Sequence, residues 1–278
     1  METVFLLPLA AFSTALLGAV CGIGGGILLK PLLDACFGMD AAEASFLSGC
    51  TVLAMAAVAL LRGAKYARQG RSAHPEGDPG QTPRLDLRIG TILSVGAALG
   101  GVLGKQLFGW LAGAFSGSRV GTAQSLAIAV LCAAVLACLL LKKRVRPRKI
   151  THPVPMAGTG LALGVLSSFL GIGGGPFNHM ALSLLFGMDT KACAAHSLYI
   201  VLFSQAASLV SVAVTGAWPA FRWEALLLMA AGGALGGYIG SAVSKRAGQR
   251  QVEWVLGCAL LLIVGVCAYN AARFWRAA

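Results

Sequence analysis

The chain has 278 residues, of which 57% are hydrophobic and only 12% charged, and its mean hydropathy is +0.79. A water-soluble domain carries roughly 25% charged residues, and strand-type alternation is absent, so a soluble fold and a membrane barrel are both excluded and a helical bundle in a lipid bilayer remains. The net charge of +12 would point to nucleic acid in a soluble protein; here Lys and Arg gather between apolar runs, as cytoplasmic loops and headgroup contacts do, and no nucleic-acid partner is expected.

In chain order the apolar runs predict helices at 4–22, a short one at 27–37, then 42–62, 87–113 and 120–141. A second series follows at 155–171, a short one at 176–186, then 190–215, 223–243 and 252–274. The fold class is all-α: a polytopic helical membrane protein built from two homologous four-helix-type repeats with broken first helices. Residues 2–20 lack a basic n-region and an A-x-A site, so they belong to the fold and not to a cleaved leader. The stretch "RQGRSAHPEGDPGQTPR" (68–84) is polar and rich in Gly and Pro, and reads as a loop. "KKRVRPRK" (142–149) is the densest charge run and suits topology and lipid headgroups better than a partner site. None of the eight cysteines forms a CxxC pair and most lie in apolar runs, where a free thiol behaves as a small hydrophobe. No metal site, disulfide framework or cofactor is expected.

The chain is a duplication. Residues 22–40 match residues 171–189 at an offset of 149, with ten of 19 positions identical and "FGMD" ending both copies. "ALGGVLG" (98–104) matches "ALGGYIG" (234–240) at an offset of 136. The repeats are 1–146 and 151–278. Counting Lys and Arg leaves parallel and inverted repeats equally favoured, at fifteen inside and four outside each way. Both counts place 62–88 and 142–149 in the cytoplasm; the expected location is a bacterial-type inner (plasma) membrane. An odd number of crossings per half requires the 4–37 unit to re-enter with its glycines at the tip.

Those glycines, in "CGIGGGILLK" (21–30) and "LGIGGGPFNH" (170–179), break apolar helices at a cost of roughly 1 kcal/mol per residue relative to alanine. A short helix follows each break. Its first N–H groups lack internal partners and carry the positive end of the helix dipole, which suits an anion. Gly24, Gly25, Gly26, Gly173, Gly174 and Gly175 are therefore candidate substrate-binding positions; tight packing is the alternative. A nucleotide loop is excluded by the missing G-K-[ST] and preceding strand.

The paired "GIGGG" motifs, each followed by a short apolar helix, "GM" and a serine-bearing segment, resemble the sulfite exporter TauE/SafE family of membrane permeases. The resemblance covers nearly the whole chain, and Pro31 matches the family's first-copy proline. A Thr-Ser pair is usual downstream; Leu47-Ser48 and His196-Ser197 keep the serine and not the threonine. The resemblance implies a permease for small anions, often sulfur oxyanions or organosulfonates.

Polar residues inside spans are functional candidates. Lys30 either attracts an anion or pairs with Asp34 at i,i+4. Asn178 and His179 open the second short helix as donors to an oxyanion, or His179 is structural. His196 carries a coupling proton or holds a backbone partner, and Lys30 and Asp34 join it as coupling candidates. Ser197, Ser204, Ser208 and Ser211 share one helix face with Gln205 beside them; they line a path or bond between helices. Ser48 completes the substrate-binding set with Ser197, Ser204 and Gln205. The expected function is a secondary transporter working with a small anion, the bilayer and protons or another coupling ion. An anion channel is the alternative, and an intramembrane enzyme a weaker one: no catalytic motif is found in the spans. Nothing in the residues fixes the oligomeric state.

Overall fold

The computed structural model describes residues 2–73, 86–114, 117–141, 148–172 and 174–277. Ten helices run in chain order: α1 (Glu2–Cys21), α2 (Gly26–Leu32), α3 (Ala41–Ala73), α4 (Leu87–Ala114), α5 (Gly117–Leu141), α6 (Pro153–Leu170), α7 (Pro176–Phe186), α8 (Thr190–Thr215), α9 (Trp223–Arg246) and α10 (Gln249–Ala277). Among the described residues there is no strand. Among the described residues seven helices, α3 to α6 and α8 to α10, are long and apolar enough to cross a membrane. Leu126, Val130 and Leu140 on α5, Leu227 and Leu235 on α9, and Leu261 on α10 point outward. An apolar surface of that extent is lipid-facing, so this is an integral, multi-pass membrane protein.

Two differences from the expected segments have local causes. α3 continues to Ala73, so residues 68–73 of the expected loop are helical; Ala, Arg and Gln there are good helix formers once the apolar run has ended. Residues 74–85 and 142–147, the rest of that loop and most of the basic linker, lie outside the described residues. The short helix 27–37 is α2 followed by a π-helical turn, Leu33–Phe37. Pro31 lacks an N–H, and Leu33 N–H is shared between the Leu29 and Lys30 carbonyls.

The repeated "FGMD" is a turn. Gly187 ends α7 in the left-handed conformation, and Asp189 caps α8 by accepting from Ala192 N–H at 2.7 Å. Gly38 ends the α2 unit in the same way, and a short residue with positive φ before a helix-capping acid is what such a junction requires.

Contact register gives the helix directions. Gly96, Gly100 and Gly104 on α4 meet Ala157, Leu161 and Val165 on α6, so these two run parallel. Gly232, Gly236 and Gly240 on α9 meet Pro8, Phe12 and Leu16 on α1, also in parallel. Glycines at intervals of four bring the backbones close, as expected for small-xxx-small faces. α3 runs parallel to α9 (Thr51 by Gly233, Met55 by Gly237), and α8 parallel to α4 (His196 and Tyr199 by Gly90, Ser204 by Gly101). α3 and α8 are antiparallel: Gly49 meets Gln205, while Val52 and Met55 pack with Val201 and Leu198. It follows that α1 and α6 point in opposite directions.

Both broken helices turn back. After α1, Gly25 lies beside Thr14 and Ala15, and Leu29 and Leu33 pack with Ala11 and Leu7. After α6, the last turn of α7 returns to the chain just before α6: Arg148 N–H donates to Leu184 O at 2.7 Å and Ile150 N–H to Leu185 O at 3.0 Å. The hairpins enter from opposite ends, so α1–α2 and α6–α7 are inverted relative to each other, an arrangement the charge count leaves undecided. Arg62, Lys65, Arg88, Lys149, Lys245 and Arg246 fall at one end, called the basic end. The opposite end carries a ring cluster of Phe46, Trp218, Phe221 and Trp223, the amphipathic aromatics typical of a membrane interface.

Candidate functional site

The two glycine breaks meet in the interior. A Cβ on Gly26 would stand 2.5 Å from Ile172 O, 2.7 Å from Val52 Cγ2 and 3.0 Å from Ser48 Oγ, and one on Gly175 would stand 3.3 Å from Ile27 Cδ1. α2 and α7 therefore start side by side and run to opposite ends. The contacts follow the repeat: Gly22 (φ 72°) is pressed against Ala194, and Gly171 (φ 66°) against Ser45. Neither backbone angle nor spacing admits a side chain there. Among the described residues, the N–H groups of Ile27 and Phe177 find no backbone acceptor, as the first turn of any helix dictates.

The side chains around the breaks are unequal. Ser48 Oγ donates to Gly26 O at 3.4 Å, and Asn178 Nδ2 to Ser197 Oγ at 3.4 Å. Ser48, Ser197 and Asn178 are buried, and Asn178 Oδ1 has no partner among the described residues. Gly24, Gly25, Gly26, Gly174 and Gly175 lie in the two breaks; Gly173 lies outside the described residues. Ser204 and Gln205 are buried further along α8, towards Gly101 and Gly49. His179 is placed elsewhere. It faces a cavity of about 170 Å³ at the basic-end half, with Val135, Cys138, Ser183, Thr190 and Leu256.

Lys30 does not pair with Asp34. Its ammonium donates to Gln124 Oε1 at 2.6 Å and to Leu170 O at 2.9 Å, while Asp34 Oδ1 is buried without a hydrogen-bond partner among the described residues. Lys30 therefore caps the C-terminal end of α6, where a cation offsets the negative pole of the helix. Gln124 completes the cap through Phe169 O at 2.8 Å. This three-way junction links residues 94 and 140 positions apart, and nothing local in the sequence reveals it. Lys105, on the same α4 face as Gly101, escapes the glycine-centred sequence reading. As a charged residue inside an apolar span, it carried the general signal of an intramembrane ionisable group.

His196 holds a backbone group at each nitrogen: Nδ1 lies 2.9 Å from Ala192 O, and Nε2 accepts from Asp86 N–H at 3.1 Å. That pattern assigns the Nδ1–H tautomer and ties α8 to the start of α4, where Asp86 Oδ1 accepts from Arg88 N–H at 3.0 Å. His196→Leu removes a part-buried hydrogen bond to the amide of the exposed Asp86, so a loss of about 0.5–1.5 kcal/mol is expected, read as a lower melting temperature in detergent. A variant as stable as the parent would show that the contact is dispensable.

The family described as sulfite exporter TauE/SafE matches residues 6–266. A curated relative, "Probable membrane transporter protein YunE" of Bacillus subtilis (strain 168), is 29% identical over 111 residues. That alignment covers 38% of this chain and 40% of the relative, so the match spans less than half of the relative's length. No solved structure matches. With the family match spanning the inverted hairpins and both glycine breaks, the chain belongs to the sulfite exporter TauE/SafE family.

Proposed function

We propose that the chain is a secondary transporter of small anions, of the sulfur oxyanion or organosulfonate class, in a bacterial-type inner (plasma) membrane with the basic end cytoplasmic. The supporting observation is the convergence of the two breaks: two short helices of opposite direction present their positive ends at one buried place, beside Ser48, Ser197 and Asn178. Such half-helix termini at an inverted-repeat interface suit a negatively charged substrate and alternating access. The halves 1–146 and 151–278 act as the two rocking units, each lending its first helix to the other. Among the described residues Arg62, Lys65, Arg88, Lys149, Lys245 and Arg246 share the basic end, which the positive-inside rule makes cytoplasmic.

The test is uptake of radiolabelled sulfite and thiosulfate into proteoliposomes holding the purified chain. Saturable flux above that of empty vesicles is expected; no flux of either anion rejects the substrate class. The same vesicles with an imposed pH gradient report coupling: a His196→Ala variant with unchanged proton dependence removes the coupling role of that residue.

A further inference from the structure

We propose that Lys105 is the counter-charge of the bound anion, and that Ser168 and Ser204 are hydroxyl donors beside it; this rests on the anion reading above. α4 places Gly101 and Lys105 on one face, four residues apart. Around Gly101 the helices α4, α6 and α8 meet: a Cβ there would stand 2.8 Å from Ser204 O, 3.1 Å from Ser204 Oγ and 3.4 Å from Ser168 Oγ. Both hydroxyls are buried, at 1% and 3% exposure, and neither has a hydrogen-bond partner among the described residues. Ser94, seven residues before Gly101 on the same helix, is a third buried hydroxyl in that condition. Buried polar groups are nearly always satisfied, so a seam with three orphans calls for an acceptor that binds there.

The other half of the molecule is an internal control. Its equivalent seam sets Gly237 of α9 against Met55 of α3, with Ala15, Ala19 and Val52 around them. At the repeat offsets, Ser204 corresponds to Met55, Ser168 to Ala19 and Ser94 to Ala230. Packing three helices around a glycine thus works with apolar residues, and the hydroxyls are not needed for it.

Lys105 supplies the charge. It is half-buried, and its ammonium lies 5.4 Å from the Phe108 ring centroid. No carboxylate pairs with it among the described residues. The Lys30 ammonium lies 5.9 Å from the same ring centroid, but Lys30 is already bonded to Gln124 and Leu170. Two cations near one ring, one of them unpaired, are costly in an apolar span. An oxyanion fits this deficit: it neutralises Lys105 and offers several oxygens to neighbouring hydroxyls at once.

The experiment compares wild type with Lys105→Gln, Lys105→Arg and the double variant Ser168→Ala/Ser204→Ala. Each is measured for radiolabelled sulfite and thiosulfate uptake in proteoliposomes and for melting temperature in detergent with and without each anion. Lys105→Gln is expected to lose at least about 20-fold in uptake at low anion concentration while melting no lower than wild type without anion, because an unpaired, half-buried charge has gone. Lys105→Arg keeps uptake within about fivefold, since the charge is retained. The serine pair raises KM about tenfold, as loss of donors to a charged ligand does. Wild-type uptake with Lys105→Gln inside twofold overturns this assignment and leaves the transport reading standing. If wild type moves neither anion, the transport reading falls. Lys105 is then judged by the anion-dependent melting shift, expected in wild type and absent in Lys105→Gln; equal shifts, or none in either, overturn it.

Discussion

Gly26→Ala abolishes uptake and lowers the melting temperature. The new methyl would meet Ile172 O at 2.5 Å, Val52 Cγ2 at 2.7 Å and Ser48 Oγ at 3.0 Å. The carbonyl is the decisive contact, because it belongs to the backbone of the second break and cannot rotate away. Overpacking of this kind costs about 1–3 kcal/mol when neighbours yield; here yielding means separating the two breaks. Gly171→Ala tests the same interface from the other side. Its methyl overlaps the Ser45 side chain, so Gly171→Ala/Ser45→Gly recovers part of the stability lost by Gly171→Ala alone. The residual loss is the strain of a non-glycine residue at φ 66°, about 1–2 kcal/mol. Gly158→Ala on α6 meets nothing within 4 Å and is expected to stabilise by up to about 1 kcal/mol, the ordinary helix preference for alanine. If Gly26→Ala transports and melts like Gly158→Ala, the breaks are not in functional contact.

These contrasts show what the sequence could and could not carry. The helices were legible because apolar runs of spanning length are delimited by charge, Gly and Pro, and the half-helices because "GIGGG" and "FGMD" bracket them twice. Residues 68–73 misled because helix propensity outlasts hydrophobicity at the end of α3. The direction of the repeats was hidden because charge counting sees loops, while the deciding information is the register of Gly101 against Ser204 and of Gly49 against Gln205. The role of Lys30 was hidden for a similar reason. Local spacing offers Asp34 at i,i+4, whereas the fold offers the end of α6, whose unsatisfied carbonyls make the better partner. His179 aligns with Lys30 in sequence and begins the equivalent helix, yet faces a cavity. Chemical asymmetry between repeats is visible in a sequence; what fills the corresponding spaces is not.

That same asymmetry leads to the second large effect. α2 is held to α10 by side chains: Asn270 Nδ2 donates to Pro31 O at 2.9 Å, and Arg273 Nη1 to Asp34 O at 3.0 Å and Ala35 O at 3.2 Å. The π-helical turn leaves these carbonyls available, and Arg273 complements the negative pole of the short helix. α7 ends differently. Its last carbonyls are taken by its own flanking chain, through Gly187, Arg148 and Ile150, and the cavity with Val135 and Cys138 lies beside it. Each end holds a cavity, about 170 Å³ beside α7 and about 150 Å³ beside Phe37 and Met39 at the end of the α2 unit; in the alternating-access reading the side-chain clamp on α2 sets the balance between them. Asn270→Ala/Arg273→Ala removes three hydrogen bonds, the Arg273 pair being partly exposed and weaker, for a combined loss of about 2 kcal/mol. If the two ends exchange, that shifts their balance roughly 30-fold towards an open α2 end and a closed α7 cavity. The readout is a variant retaining Cys138 as its sole cysteine, labelled from the basic end with a membrane-impermeant maleimide. The alkylation rate of Cys138 is expected to fall by up to about 30-fold when the clamp is removed. An unchanged rate together with a lower melting temperature would make the clamp a local brace, and would show that the two ends do not move in opposition.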